Sequence, residues 1–418
     1  MFYLAILAFA ALAAGLSDAV FSNYFKDAYN VTALQRGLIE LPRELPGVLV
    51  VILISFLTAF SNVRVAMIAQ VLAIFGLLWL GFLTPPFSIM LVFLFINSVG
   101  GHLWYPLQDS IGMALIRDDS NAGRTIGKFK GVSMAFSLLA AVIVFIGFRF
   151  GFMSFTTPIK AVFLIAAGFL LITLILLGAL DKHLAAPALA SGEKPVKKVR
   201  FVFRREYKYY YLLAVVFGVQ KQIMFVYAPW VLIDLLGSKT DTIALLSMIG
   251  ALVGIFFIPA LGRWIDRFGI KKLLYVDAFS FIAVYIAYGV LSAGFATGWL
   301  SRTGLPMILT FTLFIIDRMS MQMGIIRSLY LRTIALTPDD IAPTLTTGLS
   351  IDHVIAIACA ALGGLVWTVW GPQYIFFLAA VLSLINYFVA VKVKIPVKDK
   401  IIQSEKKPLD YSDPVVKD

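Results

Sequence analysis

The sequence predicts an all-α membrane protein: twelve transmembrane helices in two pseudo-symmetric six-helix bundles. Three observations lead there. Hydrophobic residues make up 61% of the 418 and charged residues 14%, with a mean hydropathy of +0.92, far outside the soluble globular range. The apolar runs have membrane length and do not alternate, and hydrocarbon offers no partner to backbone N–H and C=O groups, so the runs are helices rather than barrel strands. A polar, basic segment, DKHLAAPALASGEKPVKKVRFVFRREYK, divides the chain into six apolar runs on either side.

Breaking the runs at charge and Pro/Gly clusters places spans at 2–24, 36–59, 63–84, 87–116, 126–149 and 156–180, then at 209–235, 242–261, 271–293, 304–328, 343–369 and 372–394. The first run lacks the positive n-region of a signal peptide and reads as a span. The second opens on ELPRELPG, where two prolines remove backbone donors and soften one end. The fourth carries INSVGGH near mid-depth, and the fifth runs KGVSMAFSLLAAVIVF. In the second half, the seventh run holds FGVQKQIMFVYAPW, with Pro229 expected to break the helix. The tenth holds IIDRMSMQMG and the eleventh SIDHVIAIA. The resulting organisation is a bundle over 1–180, a basic linker over 181–208, a second bundle over 209–395 and a basic tail over 396–418.

The formal charge of +12 reflects orientation rather than nucleic acid. With the N-terminus inside, the inner loops and tail hold 26 of the 35 Lys and Arg. Lys26, Arg36, Arg149, Lys160, Lys239 and Arg302 fall outside, and Arg43, Lys221 and Arg318 fall within spans. Both termini are therefore expected in the cytoplasm, in the inner membrane of a bacterial cell, with the lipid bilayer as surroundings. The one cysteine, Cys359, lies in an apolar run and forms no intrachain disulfide.

A shift of 221 residues lays ALIRDDSNAGRTIG (114–127) over ALTPDDIAPTLTTG (335–348), with Ala, Leu, Asp, Asp, Thr and Gly coinciding. Apolar bias does not generate a paired Asp-Asp, so the halves read as repeats. Each pair stands before a new helix, where a carboxylate is expected to accept free N–H groups. Parallel repeats about the membrane normal are a recurrent transporter plan.

Between spans eight and nine, Gly262 to Lys272 reads GRWIDRFGIKK. This resembles the signature loop of the major facilitator superfamily, Gly-x-x-x-Asp-Arg-x-Gly-x-basic-basic. The resemblance, with twelve spans, a basic central loop and a half repeat, covers the whole chain and implies a secondary transporter whose halves rock around a central site. It also implies a gating loop of Gly262, Arg263, Asp266, Arg267, Gly269 and Lys271. On the residues alone, Gly262 suits close helix approach, Gly269 a tight turn, and Asp266 a bridge to the basic residues or to the other half. The equivalent first-half loop, SFLTAFSNVRVAM, lacks the Asp and keeps Arg64. The fifth span lacks the Gly-Pro pair that many drug/proton antiporters show.

Ionisable residues inside spans are expensive and mark function. On a helix, Glu40, Arg43, Glu44 and Gly47 form one stripe, at i, i+3, i+4 and i+7. Helix rise places Arg43 and Asp18 roughly 6–8 Å to the same side of the midplane. Asp18 shares a stripe with Gly15 and Ser22. Three acids against Arg43 leave an excess of two negative charges if all ionise, so one acid is a candidate for proton exchange. His102 aligns with Tyr105 and Asp109 as a possible relay. Gln220, Lys221 and Tyr227 stand near mid-depth in span seven, with Lys221 the candidate for an anionic group. Span ten adds Asp317, Arg318 and Gln322, and span eleven Asp352 and His353. An acid beside a histidine invites a metal, but one such pair falls short of a site, and Asp18 and His102 sit at different depths. No metal and no cofactor are assigned.

The expected function is alternating-access transport of a small polar or zwitterionic organic solute, coupled to protons, by a monomer. Export or flipping of amphipathic drugs or lipids is the alternative, and metal-ion transport or a membrane-embedded enzyme a remote one. GxxxxGK[ST], HExxH and GxSxG motifs are all missing, which argues against ATP drive and enzymatic chemistry.

Overall fold

The computed structural model describes residues 2–57, 59–116, 122–188, 203–337 and 340–393. Among them there is no strand. The chain forms α1 (Phe2–Tyr29), α2 (Ala33–Leu38 continued by Glu40–Phe56), α3 (Asn62–Phe82), α4 (Phe87–Ala114), α5 (Ala122–Arg149) and α6 (Ala161–Ala188). The second half holds α7 (Arg205–Leu235), α8 and α9 (two limbs of Thr240–Thr297), α10 (Leu305–Ile334), α11 (Ile341–Val369) and α12 (Pro372–Lys392). Among the described residues ten stretches are long and apolar enough to cross a membrane. One of these, 58 residues long, is two spans, and α2 adds another, which brings the count to the expected twelve. The linker residues 189–202, the tail beyond 393, and Arg117, Asp118, Asp119 and Asp339 lie outside the described residues.

Local chemistry explains where the helices bend. In α1 the Ser17 hydroxyl donates back to the Ala13 carbonyl at 3.0 Å, and the helix breaks at Asp18 before resuming at Phe21. A capping box on Thr32 and Gln35 starts α2. Pro42 has no N–H for the Leu38 carbonyl, and the helix duly turns at Ile39 and restarts at Glu40. Pro229 does not break α7. The chain stays helical by widening into π-turns at Ile223–Tyr227 and Val231–Leu235 on either side of it.

The signature loop is mostly helix. α8 runs on through residues 262–268, and the chain reverses at Gly269, whose φ of 78° and ψ of 159° suit a residue without a Cβ. A Cβ at Gly262 would meet open space, so the close approach expected there is not made. Asp340 does not cap α11 as expected. Its carboxylate instead accepts from the Tyr207 hydroxyl at 2.8 Å and from Arg204 at 3.2 Å, pinning the start of α7.

Each half packs around its own helices, α1 against α5 and α6, α3 against α4 and α6, α7 against α11 and α12, α9 against α12. The halves meet along α2 with α11 and α5 with α8. The buried core is forked. One large cluster runs through both halves from Leu12 and Tyr24 to Tyr227, Trp230 and Phe376. Toward the end carrying the first residues and the linker it divides into a first-half cluster around Tyr3 and Trp104 and a second-half cluster around Tyr207 and Tyr330.

The opposite end is fastened. Lys26 pairs with Asp234 at 2.6 Å, Arg149 with Asp241 at 3.6 Å, and the Asn23 amide donates to the Ser238 carbonyl at 3.3 Å. Gly37 lies so close to the Ala360 carbonyl that a side chain would overlap it. Among the described residues, every ion pair and hydrogen bond joining the halves lies at this fastened end or at mid-depth.

Candidate functional site

The ELPRELPG stretch sends its two acids in different directions. Glu40 is buried and holds cations of its own helix: Arg36 at 2.6 Å and Arg43 at 2.8 Å, both on Oε1. Arg36 is fully buried, donates to Ser22 on α1 at 3.2 Å and lies over the Phe25 ring. One helical turn further, Glu44 crosses to the other half. Its Oε2 accepts from Lys221 of α7 at 2.8 Å and lies 2.5 Å from Nδ1 of His353 on α11.

Lys221 also reaches Asp352 at 3.4 Å and His353 Nδ1 at 3.3 Å, and Asp352 faces Arg327 at 3.8 Å. Gly47, the last member of the predicted stripe, makes room for this group: a Cβ there would stand 2.6 Å from the His353 ring. His102 of α4 completes it from the first half, its ring centroid 5.2 Å from that of His353. Nδ1 of His102 faces the Ser98 carbonyl at 3.0 Å, and the Ser98 hydroxyl donates to the Arg43 carbonyl. Glu44, His102 and His353 each offer a ligand atom within 4.8 Å of the others.

Asp18 stands in a different relation. It is exposed, makes no hydrogen bond or ion pair among the described residues, and acts at longer range on Arg43, Glu40 and Tyr105. Its expected stripe is split, because Gly15 packs on Ala140 and Ser22 serves Arg36. Counting every charge along the seam, with Asp18 facing Arg43 at longer range, the acids Asp18, Glu40, Glu44 and Asp352 balance the cations Arg36, Arg43, Lys221 and Arg327. The predicted excess of two negative charges is thereby cancelled. Two members of this set are missing from the expected site: Arg36, which the charge pattern places outside, and Arg327, which stands at the inner end of span ten, 304–328. The i, i+4 spacing of Arg36 and Glu40 was the available signal.

Other predicted residues lie elsewhere. Asp109 is tied to Lys130 of α5 at 2.7 Å in an exposed pair, so it does not extend a relay from His102. Tyr227 is fully buried, donates to the Ala360 carbonyl and stacks on Trp367; it is a packing residue against Gly37 and Gly363. Gln220 is buried in a cavity within the second half, together with Asp277, Arg327 and Asn386. Asp317 is buried with both oxygens lacking a hydrogen bond among the described residues, while Arg318 lies over Phe314; Gln322 is exposed. In the loop, Asp266 and Arg263 are exposed with no ion pair among the described residues, Arg267 lies over Phe268, and Lys271 donates to the Val391 carbonyl at 3.4 Å. Lys160, counted as a loop charge, is fully buried on Thr84 and the Pro158 carbonyl.

Two six-helix bundles meeting across a buried, ion-paired seam at mid-depth define a multi-pass membrane transporter rather than an enzyme. The chain belongs to the Major Facilitator Superfamily, whose family model matches residues 3–338. Solved structures of similar fold include the nucleoside transporter NupG (15% identity, TM-score 0.68, covering 94% of this chain and 99% of that one). A D-xylose-proton symporter gives 15% identity and TM-score 0.65 over 94% and 96% of the two chains. A POT family transporter in complex with a thioalcohol-conjugated peptide gives 13% and 0.69 over 93% and 95%. No curated protein sequence matches the chain.

Proposed function

We propose that this chain is a secondary active transporter that moves a small polar or zwitterionic organic solute by alternating access, coupled to proton exchange at the Glu44–His353 contact. The observation that carries the reading is Glu44 itself, a first-half carboxylate whose partners, Lys221 and His353, belong to the second half. When the halves rock apart at this depth, Glu44 must exchange those partners for water, solute or a proton, because leaving it bare costs several kcal/mol. A proton on His353 competes with Lys221 for the same oxygen, which links protonation to the seam.

The charges on both sides of the seam suit a solute carrying both signs. A wholly lipid cargo has no use for four cations and four acids. The basic loops favour cytoplasmic termini, and with that orientation the fastened end is the outer one and the fork in the core opens inward.

The test is a thermal-shift screen of polar metabolites on purified protein, followed by flux of the hits into liposomes under an imposed pH gradient. Accumulation should follow the gradient, and Glu44→Gln or Arg43→Ala should abolish it while the folded protein persists. Full gradient-driven transport in both variants would refute the coupling.

A further inference from the structure

We infer that Glu44, His102 and His353 form a binding site for one borderline divalent transition-metal ion, Zn²⁺ or Co²⁺ in kind, that bridges the two halves, with Lys221 as the competing cation. The chain has three histidines, and two of them meet here from opposite halves. Two imidazoles and a carboxylate are a donor set for Zn²⁺, Co²⁺, Ni²⁺ or Fe²⁺, not for Mg²⁺ or Ca²⁺, which take oxygen ligands. Three protein ligands with an open fourth position is the arrangement of an exchangeable rather than a structural site.

Two further observations point to a ligand. The first concerns the tautomer of His102. The Ser98 carbonyl 3.0 Å from its Nδ1 can only accept, and the Ser98 hydroxyl is already donating to the Arg43 carbonyl, so Nδ1 carries the hydrogen and Nε2 keeps its lone pair. A histidine oriented through its other nitrogen by a backbone carbonyl is the usual support behind a metal ligand. The second is that a cation already stands at the site: the Lys221 ammonium donates to Glu44 Oε2 at 2.8 Å and lies 3.3 Å from the His353 nitrogen that faces the same oxygen. Lys221 has a second acceptor, Asp352 at 3.4 Å, which is free to keep it when an ion takes its place.

Ligand atoms at metal bond lengths of about 2.1 Å stand roughly 3.4 Å apart around a tetrahedral centre. The ligand atoms now lie within 4.8 Å of one another, so the widest pair closes by at most about 1.4 Å while the Glu44–His353 contact at 2.5 Å opens by about 1 Å, both side-chain adjustments. A bound ion would tie α2 and α4 to α11 and, on the transporter reading above, hold the halves in the arrangement described. On sequence the acid beside a histidine was Asp352 with His353, one pair and short of a site; the fold instead brings His353 to Glu44 and His102 of the other half.

The test uses the purified full-length protein, freed of metal by chelator, titrated with CoCl₂ and followed by visible absorption, and with ZnCl₂ by calorimetry. The expected result is one ion per chain with a low-coordinate Co²⁺ band. His102→Ala and His353→Ala should each weaken Zn²⁺ by at least about tenfold, since even supporting residues are worth that much. Lys221→Met should tighten it by about tenfold or more, a gain that a merely misfolded variant cannot give. Absence of binding in both the wild type and Lys221→Met overturns the inference, as does an affinity indifferent to both histidine substitutions, which would place the ion elsewhere. Binding is read without any flux, so a failure of proton coupling leaves this result standing, and the reverse holds too.

Discussion

The contact between Glu44 and Lys221 is the place where the seam can be weighed. Both side chains are largely withdrawn from solvent, with 16% and 13% of their surfaces exposed, so screening takes little from the pair. Glu44→Gln removes a charge-assisted bond to Lys221 at 2.8 Å and weakens the 2.5 Å contact to His353, leaving the ammonium with Asp352 at a longer 3.4 Å. Breaking one partner out of a buried pair costs about 3 kcal/mol or somewhat more. Lys221→Met costs less, about 2 kcal/mol, because Glu44 retains the imidazole and Asp352 retains Arg327. In the double variant neither charge is stranded, and the cost should fall about 2 kcal/mol short of the sum. The assay is reversible unfolding in mixed micelles of the wild type, the two singles and the double. Additivity within about 0.5 kcal/mol would show that the two groups do not interact across the seam, and the coupling argument would fall with it.

Three shorter predictions address the ends of the molecule. Gly37→Leu should force α2 off the Ala360 carbonyl at a cost of about 1–3 kcal/mol, opening the fastened end; spin labels placed on α2 and α11 near that contact should move apart, and an unchanged distance would refute the packing role. Asp266→Asn should leave the stability of this state within about 0.5 kcal/mol of the parent, since the carboxylate is exposed and has no ion pair among the described residues, yet slow transport if the loop engages in the other state; a large loss of thermal stability is the contrary result. Lys26→Ala removes a half-exposed pair and should cost less than about 1 kcal/mol, diminishing as salt shortens the Debye length, whereas a salt-independent loss would mean that the cation–π contact with Trp230 dominates.

Much of the architecture was legible because the bilayer imposes it. Run length and charge asymmetry depend on solvent, not on tertiary detail, so twelve spans, the division into halves and the turn at Gly269 could be read directly. Kinks were harder. A proline announces a lost donor but not the remedy, and α7 answers Pro229 with wider turns rather than a break. The stripe of Glu40, Arg43, Glu44 and Gly47 was legible as periodicity, and Lys221 as a lone mid-membrane cation. Their meeting was not, since it depends on which face of α2 is turned to α7 and α11. Arg36 and Arg327 were misplaced for one reason: a charge near a span boundary looks like an anchor in sequence, and only the depth of neighbouring helices distinguishes it from a buried partner.

The two acids of ELPRELPG sit one turn apart, about 6 Å along the helix, and that interval separates a fixed interaction from a changeable one. Glu40 is satisfied by Arg36 and Arg43 of the same helix, so its partners travel with it whatever the halves do. Among the described residues Glu44 finds its hydrogen-bond partners in the opposite half, so its environment is a function of the transporter's state. Charge balance follows the same division. The first-half group of Asp18, Glu40, Arg36 and Arg43 is neutral by itself, whereas Glu44 needs Lys221, and Asp352 shares Lys221 with it. Separation of the halves therefore leaves one uncompensated carboxylate on one side and a rearranged cation on the other. A proton, a solute ammonium or a divalent ion can each resolve that imbalance, which is why one small cluster can serve to admit, exchange and exclude.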